Sequence, residues 1–344
     1  MKRVLALIGA VSLLSAAMVA PASARGLASH AQAKAFKVGV VLDVGGVNDK
    51  SFNHLAYEGM VHAVASYHIT GRYVVSTGQS QYVPNLTQFA AAHYNLVIAV
   101  GFLMQSAMYQ VAKQYPHTKF AMVDGAPQGP SGATVNLPNV ANLFFKEQES
   151  GFLVGVMAAE MEKLHVGKAV HGTIGYMGGI SIPPVNRYIA GYVEGARRIM
   201  PSIKIQSGYS QSFTDQNKGR EIGLAQISQG ADILFQVAGA SGLGYLAAAQ
   251  QQGRYGIGVD ADQSYLGKYI VTSAVKKVDV AVKLTIHQAL TGHLRGGDHH
   301  FSLLNGATGF AKPARFVPKA IVAIVKLYEQ KIRTGKIVPS PNIP

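Results

Sequence analysis

Short apolar runs rich in β-branched residues recur along this chain at Phe36 to Leu42, Arg72 to Ser76, Asn95 to Val100, Lys119 to Val123, Thr173 to Met177, Asp232 to Val237, Tyr255 to Val259 and Tyr269 to Thr272. Between most of them lie stretches with helical spacing, among them Leu55 to Tyr67, Gln148 to Glu162, Val185 to Ile199, Gly219 to Ser228 and Val278 to Leu290. Strands without polar alternation fit sheets covered on both faces, and strand–helix–strand order predicts parallel pairing. The series restarts at Thr173 with a glycine pair, Gly178-Gly179. An α/β architecture of two similar lobes is predicted, each a parallel sheet flanked by helices, with a cleft between them.

Polar loops follow several of these strands. LDVGGVNDKSFN crowds Asp43, Asn48, Asp49, Ser51, Phe52 and Asn53 after the first. FAMVDG ends in Asp124 and its glycine, YSQSFTD carries Phe213 and Asp215, and YGIGVDADQS carries Asp260, Asp262 and Gln263. In an open parallel sheet the crevice outside the strands' carboxyl ends binds ligands, so loops from two lobes would converge on one site. Asp49 and Asp215 read first as helix caps, and Phe52 is equally suited to a hydrophobic staple.

The ends and the charge narrow the function. Lys2 and Arg3, the apolar run from Val4 to Val19 and the small residues at Pro21-Ala22-Ser23-Ala24 read as an export signal over 1–24, followed by a flexible leader over 25–35. Cysteine is absent, which excludes disulfides and thiolate chemistry and leads to the expectation of a free periplasmic or secreted product without a lipid anchor. The formal charge is +14, but no basic run exceeds two residues and tryptophan is missing, so nucleic acid is disfavoured and an acidic partner or membrane surface is favoured. His299 and His300 beside Asp298 lack a third ligand nearby, and no metal or cofactor site is expected.

Eight ordered segments resemble one family, the basic membrane protein or purine nucleoside receptor family of substrate-binding proteins for ABC transporters. They are LDVGGVNDKSFN, AVGF (Ala99 to Phe102), FKEQESGFLVGVMAA (Phe145 to Ala159), IGYMGGISIPPVNRYIAGYVEGA (Ile174 to Ala196), SFTDQNKG (Ser212 to Gly219), GASGLG (Gly239 to Gly244), IGVDADQS (Ile257 to Ser264) and TSAVKKVDVAV (Thr272 to Val282). Two departures accompany them. Ala240 and Ser241 stand in a turn that is usually richer in glycine, and a short loop separates Asp260 from Lys276.

The resemblance implies a type I periplasmic-binding fold with three hinge crossovers. Its first lobe is expected over 36–142 plus 261–294, its second over 143–260 plus 295–338, and a frayed tail over 339–344. It implies a nucleoside, of the purine class, enclosed between Phe52 and Phe213, with Asp260 on the ribose hydroxyls and Lys276 on the sugar side. Asp43, Asn53 and Asp124 resemble the family's polar groups around base and cleft, and Asn48 and Gly239 complete the expected ligand set. The implied protein is a monomer, not an enzyme, working with a membrane permease and ATPase. A nucleoside hydrolase, in which paired aspartates activate water, and an exported signalling or surface-binding protein are the alternatives.

Overall fold

The computed structural model describes residues 35–344. The expected export signal and nearly all of the leader lie outside them. Within the described residues two six-stranded sheets organise the chain. The first has the order β11-β5-β4-β3-β1-β2, built from β1 (Lys37–Leu42), β2 (Thr70–Val75), β3 (Leu96–Val100), β4 (Lys119–Val123), β5 (Val140–Phe145) and β11 (Gly297–Phe301). Every pairing in it is parallel. The second has the order β12-β10-β9-β8-β6-β7, from β6 (Thr173–Gly178), β7 (Lys204–Gln206), β8 (Ile233–Val237), β9 (Tyr255–Asp260), β10 (Ile270–Lys276) and β12 (Thr308–Phe310). It is parallel except for β12, which runs antiparallel to β10.

Nine α-helices among the described residues cover these sheets. They are α1 (Phe52–Tyr67), α2 (Tyr82–Ala91), α3 (Gln105–Gln114), α4 (Glu147–Lys163), α5 (Pro183–Ile199), α6 (Gln216–Ser228), α7 (Gly239–Gln251), α8 (Val278–Leu290) and α9 (Lys319–Arg333). The first sheet is sandwiched between two apolar clusters, one under α1 and α8 around Ala56, Ile98 and Ala281, the other under α2 and α3 around Leu86, Val97 and Met108. Full burial of β3 on both faces explains its unbroken apolar run. On the second sheet, α4, α5 and α9 bury Phe152, Tyr192, Phe235 and Val325 together.

The chain crosses between sheets three times, after Phe145, after Lys276 and after Phe301. These places differ from the expected boundaries. The expected first-lobe segment 261–294 begins too early, because β10 joins β9 in the second sheet. The expected second-lobe segments starting at 143 and 295 also begin too early, since β5 and β11 complete the first sheet. Only 278–290, as α8, returns to the first lobe from that segment's helical part. The tail expected to fray is tied down in part: the Ser340 amide donates to Glu194 at 2.8 Å.

Candidate functional site

The carboxyl ends of both sheets face one narrow cavity of about 70 Å³. From the first lobe come Asp43 after β1, Phe52 at the start of α1, Gly101 after β3 and Asp124 after β4. From the second come Tyr188 on α5, Phe213 in the loop before α6, Gly239 at the start of α7, Asp260 ending β9 and Lys276 ending β10.

Asp43 is held by its turn and by the neighbouring helix. Its Oδ1 accepts from the Gly45 amide at 2.9 Å and from Asn53 Nδ2 at 2.8 Å. Gly101 is required opposite it: its φ is +120°, and a Cβ there would collide with the Asp43 carboxylate. Asn53 lines the cavity, but its amide is committed to Asp43 and Asp49, so it positions the carboxylate. Asp49 accepts from the backbone of Ser51, Asn53 and His54, in keeping with a capping role, and also borders the cavity. Asp215 caps α6 through the Lys218 amide at 2.9 Å.

Phe52 and Phe213 enter the cavity from different lobes, and both rings are half-buried. Phe213 lies against Gly179, where any side chain would collide with its ring. Gly239, at φ +55°, sits beside the Phe213 carbonyl, which accepts from the Ser241 amide at 3.3 Å. GASGLG is therefore the first turn of α7, and its glycines let α6 approach: a Cβ on Gly244 would collide with the Gln216 carbonyl.

The charged centre joins β10, the end of β4, α4 and α5. Lys276 Nζ donates to Asp124 Oδ2 at 2.6 Å and to Glu147 Oε1 at 3.3 Å, and Arg187 Nε donates to Glu147 Oε2 at 2.6 Å. Burial pulls the Lys276 ammonium down, but Asp124, Glu147 and Asp260 outweigh it and hold the lysine charged, above its ordinary value. The ammonium also lies 4.8 Å from the centre of the Phe52 ring, within cation–π range. Asp260 accepts from Ser51 Oγ at 2.5 Å and from the Tyr188 hydroxyl at 3.0 Å. Burial lifts the Asp43 carboxyl to about 6 and raises those of Asp124 and Asp260 as well. Asp124 and Asp260 both adopt left-handed backbone, at φ +65° and +59°. Such conformations in non-glycine residues cluster at ligand sites.

One expected site residue falls outside. Asn48 is exposed on the turn and does not line the cavity, because the cap formed by Asp49 turns it outward. Glu147, Tyr188 and Arg187 were not expected. Glu147 lies inside the FKEQESGF segment, where an acid opening a helix reads as an ordinary cap, and only the fold brings it to Lys276.

A family model described as "ABC transporter substrate-binding protein PnrA-like" matches residues 36–341. The chain belongs to this family. Its members are substrate-binding proteins rather than enzymes, and the assignment implies a ligand and membrane transporter partners. An "ABC transporter nucleoside-binding protein BmpA" of Lactococcus lactis is 32% identical, covering 86% of this chain and 87% of that protein. A solved ABC transporter solute-binding protein from Aeropyrum pernix superimposes with a TM-score of 0.81 at 26% identity, over 89% of this chain and 94% of that one. That likeness shows the periplasmic-binding fold.

The expectation of a free periplasmic or secreted product without an anchor is corrected by other relatives. A Pyrococcus furiosus protein 33% identical, over 82% of this chain and 71% of its own length, is named a lipoprotein, as are relatives in two other Pyrococcus species. Lipoproteins are held at a membrane by their lipid. The reasoning from cysteine content failed because it let one residue type decide location, and the leader to which it applied lies outside the described residues.

Proposed function

We propose that the cleft captures a nucleoside, with a purine preferred, and that the loaded protein, acting as a monomer, delivers it to the permease and ATPase of an ABC importer. One observation carries this reading: two phenyl rings from different lobes, Phe52 and Phe213, line a single cavity that Asp260 and Lys276 also line. A purine offers two apolar faces and a hydrogen-bonding rim, and stacking on one aromatic contributes about 1–3 kcal/mol. Asp260 and Lys276 would take the ribose hydroxyls, while Asp43 and Asp124 would meet the rim of the base. The name of the Lactococcus relative supports the same ligand class. Because the rings belong to different lobes, a ligand touching both favours the closed form, and the molecule works as a trap.

Calorimetry with guanosine, adenosine, cytidine and ribose tests the reading. Purine nucleosides should bind most tightly, and Phe52→Ala should weaken them by roughly 5- to 150-fold, the equivalent of one lost stack. Absence of heat with every nucleoside, or an unchanged affinity in Phe52→Ala, overturns it.

A further inference from the structure

A second concavity lies away from the cleft, on the outer edge of the second sheet between β12 and α9. Its floor is apolar, with Val275, Phe310 and Val322. Its rim is basic: Lys277, Lys312, Arg315, Lys319, Lys326 and Arg333 line it, against one acid, Glu329. Glu329 is engaged by Arg333 at 3.1 Å. The other five cations are exposed, and among the described residues none has a carboxylate within salt-bridge distance. The charge that looked diffuse along the sequence is concentrated here by folding. Residues from the third crossover and the first turn of α9 meet Lys277, the neighbour of the cleft lysine.

Unpaired like charges crowded around one hollow repel each other and are relieved by an anionic partner. We infer that this groove docks the protein on a membrane surface bearing anionic phospholipid headgroups. Four of the five unpaired cations are lysines. These are compact point charges on flexible stems, suited to a fluid phosphate layer, whereas a fixed carboxylate partner selects the planar fork of arginine. A protein whose partners are membrane transporters works within reach of such a surface, and each Lys or Arg near an anionic bilayer adds attraction that decays within a Debye length.

The test is cosedimentation of the full chain with phosphatidylcholine vesicles, with and without phosphatidylglycerol, at low and high salt. Binding is expected only to the anionic vesicles and should be lost at high salt. The variant Lys312→Ala/Arg315→Ala/Lys319→Ala should lose on the order of a hundredfold in partitioning. The control Lys163→Ala/Lys204→Ala/Lys268→Ala removes the same net charge elsewhere and should lose far less. Circular dichroism melts establish that both variants fold. Equal losses in the two variants would reduce the effect to net charge and overturn the groove's role. So would equal binding to neutral vesicles, no vesicle binding, or binding to inorganic phosphate or polyglutamate without binding to vesicles.

Discussion

Lys276 and Asp124 meet at 2.6 Å between the end of a second-lobe strand and the end of a first-lobe strand, with both side chains almost wholly buried. Glu147 completes the contact from the start of α4, so one ammonium ties the crossover region to both lobes. Removing one member of such a pair leaves uncompensated buried charge, at a cost of about 3–5 kcal/mol. Lys276→Met should lower unfolding stability by that order, measured by urea titration. Lys276→Met/Asp124→Leu should recover part of it, because the stranded carboxylate is gone. Equal stability of the single and double variants would show that the pair is not coupled.

A buried acid sets a pH dependence. Burial lifts Asp43 to about 6, so the folded chain takes up this proton before the unfolded chain does as pH falls. The resulting stabilisation is complete below the unfolded value near 4 and is lost as pH rises through about 6, an effect of about 3 kcal/mol. Asp43→Asn keeps an acceptor oxygen for Gly45 and Asn53 while removing the charge. It should be more stable than the parent at pH 7 and should show a flatter stability profile between pH 4 and 6. Parallel profiles in the two proteins would rule out Asp43 as the source.

Gly179 gives a test of the second ring without touching it. A methyl group there must displace Phe213, while the backbone at Gly179 has no left-handed φ and accepts alanine. Gly179→Ala should therefore reduce nucleoside affinity roughly tenfold, the scale of one stacking contact, with only a small change in melting temperature. Retained affinity would place the Phe213 ring outside the recognition surface.

Much of the architecture was legible because buried parallel strands are almost purely apolar, as VGVVL in β1 and LVIAV in β3 show. The strands that escaped carry little such signal. GDHHF in β11 is polar, and it forms a strand because β5 offers it a parallel edge. Misplacing β10 in the first lobe had a chemical consequence, since it separated Lys276 from Asp260. In the fold the two strands are neighbours, with Val275 paired to Asp260, so the short loop between them brings the lysine and the carboxylate to one sheet end. Polar residues at strand ends marked the cleft, but Asn48 and Asp49 are adjacent in sequence, and only the turn decides which faces inward. The ion pairs of Glu147 connect residues far apart in the chain, and no local pattern carries them.

Ser51 gives the most direct handle on closure. Its hydroxyl belongs to the first lobe and donates to Asp260 Oδ2 of the second, and its fully buried position leaves no room for water to replace it. The Lys50 carbonyl, which accepts from Gln263 Nε2 at 3.4 Å, lies beside it as a weaker second bridge. A hydrogen bond to a charged group contributes about 1.5–3 kcal/mol, and this one exists only while the lobes are together. Ser51→Ala should shift the ligand-free protein toward an open form, visible as a larger radius of gyration in small-angle scattering. Since ligand must then supply the closure energy that the bond provided, nucleoside affinity should fall by roughly 10- to 100-fold. Saturating nucleoside should restore the compact radius. A variant with unchanged radius and weakened affinity would instead assign Ser51 to orienting Asp260, without a part in holding the lobes.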